Sequence, residues 1–188
     1  MTAPQVFPPG EGGNPLGFYA HRHPNGGGWV AETAHVAPTA HVGRDARVFG
    51  DAWVYGDARV SGNARVSGDA RVYGNAQVFG NAWVYGNAWV SGDAWVSGDA
   101  WVSSSRHYLT VGPLGSEDRT VTCFRTVGGG HRVVAGCWSG TIEELVARVL
   151  AGPWPDAAPE DQQRWATDYL AACAMFHARA TEWIEAAS

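Results

Sequence analysis

Valine recurs at every sixth position from Val30 to Val102 without a miss, through twelve hexads, and this feature restricts the fold more than any other. Alanine keeps the same step four places after a valine, from Ala34 to Ala100. From Gly50 to Gly98 a glycine stands two places after each valine, and Asp or Asn follows it. In a hexad such as Ala46-Arg47-Val48-Phe49, the side chains of an extended backbone alternate. Ala46 and Val48 therefore face one way, Arg47 and Phe49 the other. Gly50-Asp51 then supplies a corner, because these residues adopt positive φ at least cost. Three edges and three corners close a coil of eighteen residues, and twelve hexads make four coils. At a strand spacing of ~4.8 Å the stack rises roughly 19 Å. An amphipathic helix is excluded: the alternation has period two, and each mid-helix glycine would cost about 1 kcal/mol.

With only Val and Ala directed inward, the distinguishing side chains lie outside. Residues eighteen apart share a face. One face carries Trp29, Arg47, Arg65, Trp83 and Trp101, the second His35, Trp53, Arg71 and Trp89, and the third His41, Arg59, Gln77 and Trp95. Phe49, Tyr55, Tyr73, Phe79 and Tyr85 flank them. Soluble monomers rarely expose so much contiguous aromatic surface, and aromatic residues and Arg are enriched where subunits meet. The expectation is a self-associating stem.

The repeat resembles the hexapeptide-repeat proteins, which fold as a left-handed parallel β-helix. It departs from them in having Phe, Tyr or Ser directly after the valine, where that family often has Gly. The resemblance implies a homotrimer of parallel prisms, in keeping with the closed symmetry of most oligomers. Acyltransferases of this kind place a catalytic His beside a channel for a CoA thioester, usually with loops that break the coil. Here the hexads run unbroken, and His35 and His41 are the only histidines among them. No loop builds the wall a general base needs beside its substrate. Related zinc-dependent carbonic anhydrases need three His across two prisms, which His35 and His41 alone do not supply. An acyltransferase-like enzyme using His35 or His41 is the alternative reading, and a purely structural stem the third.

Composition narrows the partners. The 188 residues carry a net charge of −5, and all thirteen basic residues are Arg. This mild acidity argues against binding a nucleic-acid polymer, which needs a basic footprint. No apolar run has membrane-spanning length, and residues 1–28, rich in Pro and Gly, show no secretory leader. They are read as a lead-in covering the first coil. Its His21 and His23 are two metal-ligand types without a third. Cys123, Cys137 and Cys173 have no close-pair spacing, so buried thiols in the cytoplasm are expected rather than disulfides or a zinc site. No cofactor is expected.

After the repeat (29–105) the grammar changes, and 106–188 reads as a small α+β domain. A strand is predicted at His107–Val111, followed by a turn at Gly112–Ser116. Further strands are predicted at Arg119–Val127 and His131–Cys137, around Gly128-Gly129-Gly130. Thr141-Ile142-Glu143-Glu144 reads as a capping box opening a helix to about Leu150. A last helix runs from about Pro159 to Ala186, with Trp165, Tyr169, Cys173, Phe176, Ala180 and Trp183 on one stripe.

This tail holds the candidate ligand site. Arg106, Arg119, Arg125 and Arg132 crowd together in sequence, with His131 beside the last. Gly115-Ser116 and the run Trp138-Ser139-Gly140 before Thr141 offer backbone amides, and a helix N-terminus favours an anion. Arg grips phosphate in two-pronged fashion, and Tyr108 or Trp138 could stack on a base. Neither a phosphate-binding P-loop nor a dinucleotide fingerprint is present. The Gly-Pro-Leu-Gly-Ser and Gly-Cys-Trp-Ser-Gly-Thr segments are similar to those of small phage and prophage proteins. Some of these are non-enzymatic sponges that trap signalling nucleotides between subunits. The reading is thus a mainly β protein, a left-handed parallel β-helix of four coils followed by an α+β domain. Its expected role is a homotrimeric, non-enzymatic binder of a small phosphorylated ligand, most concretely a signalling nucleotide.

Overall fold

A computed structural model describes residues 6–185, and its chain falls into two compact units, Met1–Ser105 and Arg106–Ser188. The first unit opens with β1 (Val6–Phe7) and β2 (Ala20–Arg22). Its first coil holds β3 (Trp29–Ala31), β4 (His35–Val36) and β5 (His41–Val42). Ten two-residue strands follow, β6 to β15, from Arg47–Val48 to Trp101–Val102.

These strands stack as a β-solenoid of about four turns, in three parallel sheets whose neighbours lie eighteen residues apart. Trp29 pairs with Arg47, His35 with Trp53, and His41 with Arg59, and the register continues to the last coil. The interior is as narrow as the sequence requires: every Val and Ala of the repeat from Ala40 to Val96 is fully buried. Each rung is held by backbone bonds such as Arg47 N–H to Ala64 C=O (3.0 Å) and Phe49 N–H to Val66 C=O (2.9 Å). Corner side chains add ladders, with Asn63 Nδ2 donating to Asn81 Oδ1 and Asn75 Nδ2 to Asp93 Oδ1.

The corner glycines are required twice over. Gly50 has φ +69°, and a Cβ there would meet the backbone nitrogen of Gly68 at 2.8 Å. Left-handed backbone costs an L-residue about 1–2 kcal/mol before that clash is counted.

One feature of this unit differs from the sequence reading, and the lead-in, read as a cover over the first coil, is its cause. In the lead-in, β2 pairs antiparallel with β3 and β1 antiparallel with β2, which extends the first sheet. As a result Trp29, expected on the outer face, is 3% exposed. The Arg22 guanidinium lies 4.0 Å from its ring centroid, and Phe7 meets it edge-on at 5.8 Å.

The second unit is an antiparallel sheet of β16 (Tyr108–Leu114), β17 (Arg119–Arg125), β18 (His131–Ala135) and β19 (Trp138–Gly140), with helices α1 (Ile142–Leu150) and α2 (Pro159–Glu185). Its core joins Val121, Cys123 and Val133 to Ile142, Leu145, Val149, Cys173, Phe176 and Trp183. The aromatic stripe expected on the last helix is therefore core from Cys173 to Trp183, while Ala186 lies outside the described residues.

Three details correct the sequence reading here. Gly112-Pro113, taken as a turn, lies inside β16, where the register shifts between Val111 and Leu114. Pro113 has no N–H for the ladder, and a bulge accommodates it. Trp138–Gly140, read as a run before the helix that offers its backbone amides, is a fourth strand pairing with Val133–Ala135. Cys137 is exposed, whereas Cys123 and Cys173 are buried. Burial pushes their thiols up, to about 12 and about 11 respectively. Among the described residues no helix is long and apolar enough to cross a membrane.

Candidate functional site

Strand alternation and strand length disperse the tail residues singled out by sequence. Gly115, Ser116 and Arg119 sit around the β16–β17 turn. Gly115 is buried against Tyr169, whose hydroxyl a Cβ would meet at 2.7 Å, and Arg119 Nε donates to Glu117. Arg125 ends the same strand, about 20 Å away at ~3.4 Å per residue. There it faces His131 across the β17–β18 pair, on the side the helices cover. Tyr108 and Arg132 flank the fully buried Phe124 on the next rung and so point to the opposite side. Arg106 precedes β16, and its Nη2 donates to Glu182 at 2.8 Å. Trp138 packs against the core, which limits its use as a stacking platform, and Ser139 is exposed.

The helix start offered to an anion is occupied by the chain itself. Thr141 Oγ1 accepts from Glu144 N–H (3.2 Å), and Glu144 Oε2 accepts from Thr141 N–H (2.8 Å). His131 Nε2 accepts from Ile142 N–H at 3.3 Å. With that nitrogen accepting, the 3.6 Å approach of Glu143 Oε2 to it is not a hydrogen bond. Hydrogen bonds from its own amide and from the Thr141 hydroxyl hold the Glu143 carboxyl below its usual range. Two carboxylates at this terminus oppose a further anion, and Thr141 caps α1 directly after Gly140 ends β19.

On the helix-covered side of the sheet the cationic group is Arg125 with its neighbours. Arg125 Nε is buried without a hydrogen-bond partner among the described residues. Burial chiefly, and the Arg125 charge next, hold the pKa of His107 below its usual value. Arg125, His131 and His107 thus gather at one end of the sheet.

The first unit holds a second candidate that the sequence reading missed. A cavity of about 370 Å³ is lined by His21, Val30, Ala34, His35, Val36, Ala37, Trp53, Val54 and Tyr55. The Nδ1 of His21 meets Glu32 Oε1 at 2.9 Å. Those residues come together through the antiparallel Ala20–Ala31 pairing of β2 on β3, which no periodicity announces. His35 stacks on Trp53 with ring centroids 4.3 Å apart, and His41 Nδ1 lies 3.2 Å from Asn25 Oδ1. Among the described residues neither histidine has a carboxylate in hydrogen-bond reach to orient it as a base. Among the described residues no group of three or more His, Cys, Asp or Glu is placed to hold a metal ion.

From this cavity an aromatic row runs along the second face. Tyr55 and Tyr73 are stacked at 5.1 Å, Tyr73 meets Trp89 at 5.4 Å, and Arg71 lies 5.8 Å from the Trp89 centroid.

A family model described as the YdcK Beta solenoid repeat matches residues 52–68, 58–74, 64–79, 70–86 and 76–92 in overlapping register. The stem is a repeat β-solenoid. The matched segments advance by one hexad each, the same step that the valines keep, and leave the lead-in and the tail uncovered. No curated protein and no solved structure matches the chain.

Acid is expected to loosen the cap over this stem. His23 is 4% exposed, and burial, reinforced by neighbouring His21 and His41, lowers its pKa from the ordinary 6.5 against the opposing Asn25 and Ala37 carbonyls. The folded chain keeps this imidazole neutral, while the unfolded chain takes up a proton below about pH 6.5. Its contribution to stability is complete above that pH and is lost as the pH falls towards the folded-state value. Melting temperatures measured between pH 7.5 and 5 should decline, and His23→Gln should flatten the decline. An unchanged slope in the variant would remove His23 as the cause.

Proposed function

We propose that the protein is a non-enzymatic binding protein that assembles as a homotrimer through its stem and holds a small phosphorylated molecule, most concretely a nucleotide, without turnover. Assembly is supported by the outer faces: Trp53 and Trp89 are 45% and 44% exposed, in one row with Tyr55, Tyr73 and Arg71. Arginines on the faces (Arg47, Arg59, Arg65, Arg71) and aspartates at the corners (Asp51, Asp57, Asp69, Asp93) make one copy complementary to the next.

The observation that carries the ligand reading is Arg125. A buried guanidinium N–H without a partner is costly, and an anion set between Arg125 and His131 would satisfy it. Charge-assisted contacts contribute about 1.5–3 kcal/mol. Arg125→Ala should therefore weaken nucleotide binding roughly ten- to a hundredfold. Thermal-shift screening of nucleotides, titration calorimetry on any hit and product analysis form the test. A hit that binds the parent and Arg125→Ala equally, or a nucleotide that is turned over, would overturn the reading.

A further inference from the structure

Each coil bonds to the next in one fixed pattern, which leaves the first coil with a distinctive edge. Within a rung, the residue before valine and the residue after it donate to the next coil: His35 N–H to Ala52 C=O and Ala37 N–H to Val54 C=O, both 2.8 Å. On the other side, each edge presents the C=O of its Ala and the N–H and C=O of its Val, an acceptor–donor–acceptor set that the preceding coil fills. At the start of the solenoid no preceding coil exists, so the lead-in must supply the partners.

It does so on two edges of three. Strand β2 pairs with β3 on the first. On the third, Ala40 C=O accepts from Asn25 Nδ2 (3.0 Å), Val42 N–H donates to Asn25 C=O (3.0 Å), and Val42 C=O accepts from Gly28 N–H (2.8 Å). A single turn, 23–28, thus reproduces the missing rung. On the second edge, β4 ends its sheet. Ala34 C=O, Val36 N–H and Val36 C=O have no partner among the described residues. That edge, Ala34 to Ala37, lines the 370 Å³ cavity, with His21, Trp53 and Tyr55 also around it.

We propose that the β4 edge is a strand-addition site, which takes an extended peptide segment of another polypeptide as one more rung. The partial charges of the edge run negative, positive, negative, and an extended backbone supplies the complement. One residue's N–H meets Ala34 C=O, its C=O meets Val36 N–H, and the N–H two residues later meets Val36 C=O. Main-chain bonds of this kind give affinity, and alternate side chains give selectivity. The middle residue of the bound segment faces inward, where the solenoid accepts Val or Ala. The residue before it continues the row of His35 and Trp53 and is best planar.

The probe is acetyl-Gly-Ala-Trp-Val-Ser-Gly-amide, which carries the hexad pattern found at Ala94–Ser97. The control is the same peptide N-methylated at its Trp and Ser nitrogens, which removes both donors and leaves every side chain. Titration of the full-length protein, followed by amide resonances, should show the N-methyl peptide weaker by about ten- to a hundredfold. Hydrogen exchange at the Val36 amide should be fast in the free protein and slowed by the parent peptide. Equal binding of the two peptides, no binding at millimolar concentration, or a Val36 amide already protected in the free protein would each overturn the proposal. The last outcome would mean that the chain fills this edge itself.

Discussion

Val66→Asp is expected to yield no soluble, cooperatively melting protein. Val66 is fully buried, between Val48 in the coil before and Val84 in the coil after. The interior around it holds only Val and Ala, so no donor stands within reach of a carboxylate. An unpaired buried charge costs several kcal/mol even after relaxation. Burial of the valine itself contributes about 1.5–3 kcal/mol more. A chain of this kind has only ~5–15 kcal/mol of net stability, so the two losses together remove most of it. Arg65→Asp is the control: it lies one position earlier in the same strand, exposed, and a change there should stay within about 1 kcal/mol. Solubility and thermal melting by circular dichroism check both. A soluble Val66→Asp protein with a cooperative melt would show that the inward assignment is wrong.

The contrast between Arg65 and Val66 also explains why the stem was legible in the sequence and its cap was not. A solenoid repeats one local decision, so thirteen valines at one spacing determine which side chains point inward, which share a face, and which are paired. The rows read from residues eighteen apart are the observed registers. The lead-in has no such redundancy. The β2–β3 pairing depends on a few irregular contacts, so the burial of Trp29 and the meeting of His21 with Glu32 carry no periodic signal.

In the tail, local chemistry was readable where it was self-contained. The Thr141–Glu144 box is formed by adjacent residues and caps α1 as expected. The arginines show the opposite case. Arg119 and Arg125 are close in sequence, but one strand carries them to its two ends, and alternation sends Arg132 to the other side from Arg125. Proximity along a strand is a poor guide to a shared pocket. The open edge at Ala34 and Val36 was invisible for a different reason: it is defined by what the lead-in covers elsewhere, which only the folded cap reveals.

The double variant Trp53→Glu/Trp89→Glu is expected to remain folded and to lose self-association. Neither indole belongs to the interior: both sit on outward positions of β7 (Trp53–Val54) and β13 (Trp89–Val90), in one row with Tyr55 and Tyr73. The valines beside them, Val54 and Val90, stay fully buried and keep the coil intact. In a closed trimer every copy offers the same face, so each substitution is felt at all of its interfaces. Aromatic anchors at the centre of an interface cost about 2 kcal/mol or more when lost. Here each is replaced by a carboxylate on a stem whose corners already carry Asp51, Asp57, Asp69 and Asp93. Two such changes should shift association by several orders of magnitude. Light scattering at micromolar concentration should report about three chains for the parent and one for the variant, which should still melt cooperatively. A monomeric parent would remove the trimer from the functional reading. A variant that stays trimeric would move the contact to the faces carrying Arg59 and Gln77 or Arg65 and Trp83, where the same pair of substitutions can be repeated.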